Sequence, residues 1–282
     1  MTIFEGSAVA LVLPMFDNGD IDFEGFKRQV QRMIDGGVQA LLVNGTTGET
    51  ATITIEDEFK LLDMTMELAK GTGVKVICGA GSNDTQTALK KARYAKEKGA
   101  DAILVVTPYY NKATQKGLIE HYTAVAKSID LPIIMYNVPG RTGCNIQPET
   151  AVKLAKEVDN IVAIKAATGN LAQETKTMAL AEGFLDMYSG EDGLIVPLMS
   201  IGAKGVISVL SNVAPKQTHD ICAKFFAGDV AGSAKMQFEV LELVDALFCE
   251  VNPIPVKHAL NLMGMEVGPL RMPLCPMEDA NL

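Results

Sequence analysis

Eight short runs rich in valine, isoleucine and leucine recur along the chain at a near-regular interval, and none alternates with polar residues. They cover residues 8–13, 39–43, 74–78, 102–107, 132–136, 161–165, 185–189 and 205–209. Unbroken apolar runs of this length suit parallel strands covered on both faces. Between them the hydrophobic period changes to three and four. Phe23, Phe26, Val30, Met33 and Gly37 follow it, as do Phe59, Leu62, Met66 and Ala69, and Ala88, Ala92, Ala95 and Gly99. Thr54 with Asp57 three residues on marks a helix start, and Gly71 its stop. Eight strand–helix units predict an α/β chain built as a (β/α)₈ barrel of the TIM type. An open doubly wound sheet would use fewer strands and a phosphate-loop fingerprint, and Gly79-Ala80-Gly81 does not extend to one.

The length agrees. A chain of 282 residues holds a barrel of ~200–250 residues with material to spare. We expect a catalytic barrel over 1–225 and a C-terminal helical extension over 226–282. Helix candidates at the end of the chain are 213–226, 230–249 and 253–264. Hydrophobic residues at 48% and charged residues at 21% are a globular balance. A formal net charge of −9 argues against nucleic acid as a partner. The first 20 residues lack a basic start, and their apolar stretch stops at Pro14, so neither a signal peptide nor a membrane segment is expected. The five scattered cysteines contain no CxxC pair and suit reduced thiols, which makes the cytoplasm the expected location. His121, His219 and His258 are dispersed, and no metal site is expected.

In such barrels chemistry collects at the carboxyl ends of the strands. The second strand ends in Gly45-Thr46-Thr47-Gly48-Glu49, whose glycines and hydroxyls suit a carboxylate. An ordinary strand-to-helix turn is the alternative, and Glu49 fits a structural role in it. The fourth strand ends in Thr107-Pro108-Tyr109-Tyr110-Asn111. An exposed double aromatic of this kind suits an interface. The fifth ends in Tyr136-Asn137-Val138-Pro139-Gly140-Arg141-Thr142-Gly143, the sixth in Lys165 and the seventh in Ser189-Gly190. Lys204 falls at the opposite end and reads as structural. Cys144 has no nearby histidine and reads as an inert thiol.

Lys165 closes an apolar run. It either snorkels to water or keeps its amine among apolar neighbours, where burial lowers its pKa and frees a nucleophile for ketones. An ordinary lysine is neutral at pH 7 in about one molecule in 2,500, so burial is what would make an imine accessible. Tyr136 is one strand away, ~4.8 Å in such a sheet, and a phenol there can move protons. Arg141 either binds a carboxylate bidentately or is a surface cation. Gly190 is a further candidate substrate-binding position. Carbonyl chemistry through an imine, without cofactor or metal, is the reading these residues support.

Together GTTGE, TPYYN, YNVPGRTG, the lysine followed by ATG, GVISV, NPIPVK at 252–257 and PLRMPL at 269–274 resemble the 4-hydroxy-tetrahydrodipicolinate synthase family, from about residue 3 onward. These are lyases of the class I aldolase superfamily that includes N-acetylneuraminate lyase. The resemblance implies that Lys165 forms the imine with pyruvate. It implies that Thr47 binds pyruvate within the Thr46–Thr47 loop, and that Ile207 lines the pyruvate site. Tyr136 would relay protons with Thr46 or Thr47 and with Tyr110 of a neighbouring subunit. Arg141 would receive the carboxylate of L-aspartate 4-semialdehyde. The product would be 4-hydroxy-tetrahydrodipicolinate, in diaminopimelate and lysine biosynthesis, and the assembly a homotetramer built as a dimer of dimers. A related sugar-acid aldolase is the enzyme alternative, and a non-catalytic binding barrel the remote one. The chain departs from the family at Ala166, where Glu is frequent, and at Ile55, Glu58 and Thr87, where lysine-inhibited branches carry other polar groups, often histidines or an acid.

Overall fold

The computed structural model describes all 282 residues. Eight parallel strands close into a barrel in sequence order. They are β1 (Gly6–Ala10), β2 (Ala40–Val43), β3 (Lys75–Gly79), β4 (Ala102–Val106), β5 (Ile133–Asn137), β6 (Ile161–Ala166), β7 (Asp186–Ser189) and β8 (Gly205–Ser208). Every residue of β1, β2, β5, β6 and β8 is buried, as unalternating apolar strands require. The chain forms two compact units, one of Met1–Glu5 with Lys75–Ile207, the other of Gly6–Val74 with Ser208–Leu282.

In the first of these, β5 and β6 bring Tyr136 level with Lys165, and β7 brings Tyr188 level with Lys165. The helices here are α3 (Thr85–Lys98), α4 (Gln115–Lys127), α5 (Pro139–Thr142), α6 (Pro148–Glu157), α7 (Leu171–Ala181) and α8 (Ile195–Ser200). The predicted alanine stripe of α3 is fully buried at Ala88, Ala92 and Ala95. Asp84 caps its start, and Gly99, at φ +77°, ends it in the left-handed region glycine favours. Lys204 pairs with Glu5 at 3.1 Å, matching its structural reading.

The second unit carries α1 (Phe23–Asp35), α2 (Ile55–Ala69), α9 (Pro215–Phe226), α10 (Val230–Glu239), α11 (Leu241–Leu247) and α12 (Ile254–Leu262). Thr54 caps α2 by accepting from the Asp57 amide at 3.1 Å, as the sequence predicts. Two expectations shift. β1 ends three residues before the apolar run does, because Val12 donates to the Asn212 side chain at 3.2 Å while Asn212 donates to the Ala10 carbonyl at 2.8 Å. A side chain there takes the place of a strand partner. The helix expected over 230–249 is two helices, broken at Val240, whose ψ of −3° carries its carbonyl off the helical path. No helix is long and apolar enough to cross a membrane.

Candidate active site

Lys165 is 5% exposed. It does not snorkel. Its Nζ lies over the Tyr136 ring, 4.4 Å from the centroid. Loss of hydration pushes the amine down to about 8 from its ordinary 10.5, Asp192 opposes that shift, and Arg141 adds to it. At pH 7 a pKa near 8 leaves about one amine in ten neutral, against one in thousands for a solvated lysine.

The chain around the lysine is tightly built. The Gly190 amide donates to the Ala166 carbonyl at 2.7 Å. A Cβ on Gly190 would stand 2.8 Å from the Ala167 methyl, 2.9 Å from the Ala166 carbonyl and 3.1 Å from Lys165 Cε. Only glycine lets the chain leaving β7 pass this close to the amine's stem. Ser189 shapes the same turn, its hydroxyl donating to the Glu191 carbonyl at 2.7 Å. Ala166 is buried beside Ser189 and Asn137. Thr168, in the segment after Lys165, donates to Glu174 at 2.5 Å, and burial raises the Glu174 carboxyl. Ile207 is buried in β8.

Arg141 lies exposed on α5, a single turn inside the glycine-rich loop after β5. Asn137 pins that loop, accepting from the Ile146 amide at 2.9 Å and donating to Asn145 at 2.8 Å. Tyr110 joins it through the backbone, its amide donating to Thr142 at 3.1 Å. Tyr110 is 88% exposed. The Tyr188 hydroxyl donates to the Phe4 carbonyl at 2.8 Å and its ring stacks on Phe4, so this level neighbour of the lysine serves structure. Cys144 is buried, its thiol pushed up by loss of hydration, which agrees with an inert role. Thr87 bonds Asp84 at the start of α3.

In the second unit, residues 45–52 wind into two successive tight turns, Thr46–Gly48 and Thr50–Thr52. The Gly48 and Glu49 amides are bonded to the Gly45 and Thr46 carbonyls at 3.0 Å. These two amides therefore do not converge on an anion. The donors left to offer a carboxylate include the threonine hydroxyls. Thr46 is exposed and Thr47 is buried, its Oγ1 accepting from Asn252 Nδ2 at 3.0 Å. Glu49 sits at φ +52° and is buried. Its carboxylate accepts from Lys257 Nζ at 2.9 Å and from the Arg271 amide at 2.9 Å. Lys257 Nζ also donates to the carbonyls of Leu13, at 3.0 Å, and Pro269. Burial lowers the Lys257 ammonium, while Glu49 acts to raise it. The structural role expected of Glu49 is thus a buried ion pair.

Sequence reasoning missed Asn252, Lys257 and Asp192 as parts of these two groups of residues. A signal existed for Lys257. It interrupts an apolar helix, Ile254-Pro255-Val256-Lys257, as Lys165 closes an apolar strand. A cavity of about 550 Å³ lies beside Lys257, lined also by Phe16, Arg28 and His258, and neither Lys165 nor Tyr136 lines it.

Comparison with known proteins agrees with this assembly. The model of the dihydrodipicolinate synthetase family matches residues 3–282. The 4-hydroxy-tetrahydrodipicolinate synthase of Lachnoclostridium phytofermentans is 55% identical over 281 residues, covering 100% of this chain and 95% of that protein. The crystal structure of dihydrodipicolinate synthase from Thermotoga maritima superposes with a TM-score of 0.96 at 44% identity, covering 99% of this chain and 95% of that one. A chloride-inhibited dihydrodipicolinate synthase from Acinetobacter baumannii, solved with pyruvate, gives 0.96 at 41% identity, over 99% and 95% of the two chains. With a barrel, a buried strand-end lysine and full-length likeness in agreement, the chain belongs to the dihydrodipicolinate synthetase family.

Proposed function

We propose that this chain is a lyase that condenses pyruvate with L-aspartate 4-semialdehyde to 4-hydroxy-tetrahydrodipicolinate, through an imine on Lys165. The observation that carries the reading is the buried amine at the end of β6, with its pKa lowered to about 8. A neutral Lys165 adds to the C2 carbonyl of pyruvate and water leaves, forming the imine. Loss of a methyl proton gives the enamine, whose carbon attacks the aldehyde. The amino group of the second substrate then displaces the Lys165 amine from C2, and the ring closes. The protein's own amine is the covalent catalyst, and the reading invokes no cofactor or metal.

Tyr136, beside the amine, moves protons during imine formation and closure. Thr46 and Thr47 supply hydroxyls, Thr47 to the pyruvate carboxylate. Gly190 and Ile207 bound the pyruvate position, and Arg141 receives the carboxylate of the semialdehyde. Tyr110 is too exposed to act within its own subunit. That supports its contribution to a neighbour, in a homotetramer built as a dimer of dimers. The relative solved with pyruvate supports the first substrate. Cytoplasmic residence belongs to the same reading.

The test is reduction with borohydride in the presence of pyruvate, followed by peptide mapping, and a coupled assay with aspartate semialdehyde. An adduct on Lys165 and turnover are expected. No adduct on Lys165 would sink the reading. Turnover of sialic acid or keto-deoxy-gluconate, with none of the semialdehyde, would move the chain to the sugar-acid aldolases.

A further inference from the structure

Asn252, just before α12, and Lys257, within it, grip the Gly45–Glu49 loop at two points. Lys257 holds the Glu49 carboxylate, and Asn252 donates to the Thr47 hydroxyl at 3.0 Å. The second contact is unusual in kind. Most side-chain hydrogen bonds go to backbone or water, and side chain to side chain bonds are only about 10–15% of the total. Thr47 is 2% exposed and Asn252 5%, so water competes little for the bond. A hydroxyl has one proton to give and two lone pairs to receive. When Asn252 fills a lone pair of Thr47 Oγ1, the hydroxyl proton must turn elsewhere. Two residues on, the Glu49 carboxylate is itself held by Lys257 Nζ and the Arg271 amide.

We propose that Asn252 is a positioning residue for pyruvate: its amide orients the Thr47 hydroxyl as a donor to the pyruvate carboxylate. The proposal rests on the function given above. It assigns a task to the segment beyond the barrel, which supplies polarity to a group it does not itself carry. It predicts an effect on pyruvate alone, because the semialdehyde is received elsewhere.

The experiment measures half-saturating pyruvate for borohydride trapping on Lys165, together with kcat and the KM for each substrate. N252A should raise half-saturating pyruvate about tenfold, the worth of one well-oriented bond to a charged group. N252D should raise it further, since a carboxylate accepts the hydroxyl proton and adds negative charge. Both should leave kcat and the semialdehyde KM within about twofold. In a T47V background, N252A should add less than about twofold, because the coupling runs through the hydroxyl. Thermal melts check folding, and N252S replaces N252A in the comparison if N252A does not fold. Unchanged half-saturation in folded variants, equal losses for both substrates, or multiplicative losses in the double variant would each overturn the proposal. Failure of the unaltered enzyme to trap pyruvate on Lys165 would instead overturn the function on which it rests.

Discussion

The lowered pKa of Lys165 has consequences for both reactivity and stability. With a pKa near 8, the rate of imine formation should rise about tenfold per pH unit below 8 and level off above 9. The assay is cyanoborohydride trapping of pyruvate, quantified by intact mass over pH 6–10. Two variants test the cause. Arg141 pushes the amine down and Asp192 pushes it up, so R141Q should move the midpoint to higher pH and D192N to lower pH. The stability effect has the opposite use. The folded pKa lies below the unfolded one, so between about 8 and 10.5 the unfolded chain binds more protons and stability rises with pH. That gap corresponds to roughly 3 kcal/mol. Below pH 8 both states hold the proton, and the fold carries the cost of a buried ammonium. K165M should therefore be more stable than the unaltered chain at pH 7, by about 1–3 kcal/mol in urea unfolding. The advantage should shrink toward pH 10. A trapping midpoint at or above 10, or a K165M protein less stable at pH 7, would refute the reasoning.

Other outcomes follow from particular contacts. K257M leaves the Glu49 carboxylate buried with the Arg271 amide as its remaining described partner. It should cost about 3–5 kcal/mol, read by urea unfolding, and K257M with E49Q should cost less than K257M alone. G190A forces a methyl against the Ala166 carbonyl and Lys165 Cε. It should lower kcat/KM for pyruvate at least about tenfold while the protein stays folded, as judged by circular dichroism. Y136F keeps the ring beneath the amine but removes the hydroxyl, so kcat should fall about 10²–10⁴-fold with the borohydride adduct still forming, more slowly. Y110A should lower kcat if a neighbouring subunit uses that ring; mixing Y110A with an inactive K165A chain should restore part of the activity through hybrid assemblies.

The barrel was legible because unalternating apolar runs leave one arrangement, strands buried on both faces with helices between. Strand ends then located the candidate site residues, and Lys165 was readable as unusual because no solvated surface residue belongs in Ile161–Ala166. Other features lay beyond the sequence. The strand alone left Lys165 free to snorkel or stay; burial lowers its pKa, with Asp192, 27 residues away, opposing the shift and Arg141 adding to it. Gly190 was readable as a candidate position, but the reason it must be glycine appears only when the lysine's stem is seen against it. The greatest distance is in the second unit, where Asn252 and Lys257 reach Thr47 and Glu49 across more than 200 positions. Periodicity reports the faces of single elements. It carries no information about which side chain from a distant element fills a hydroxyl's lone pair or neutralises a buried carboxylate, because closure of the chain on itself makes those pairs. Sequence alone determined the architecture and singled out Lys165, and tertiary structure decided the burial that lowers its pKa and the partners that hold the Thr46–Thr47 loop.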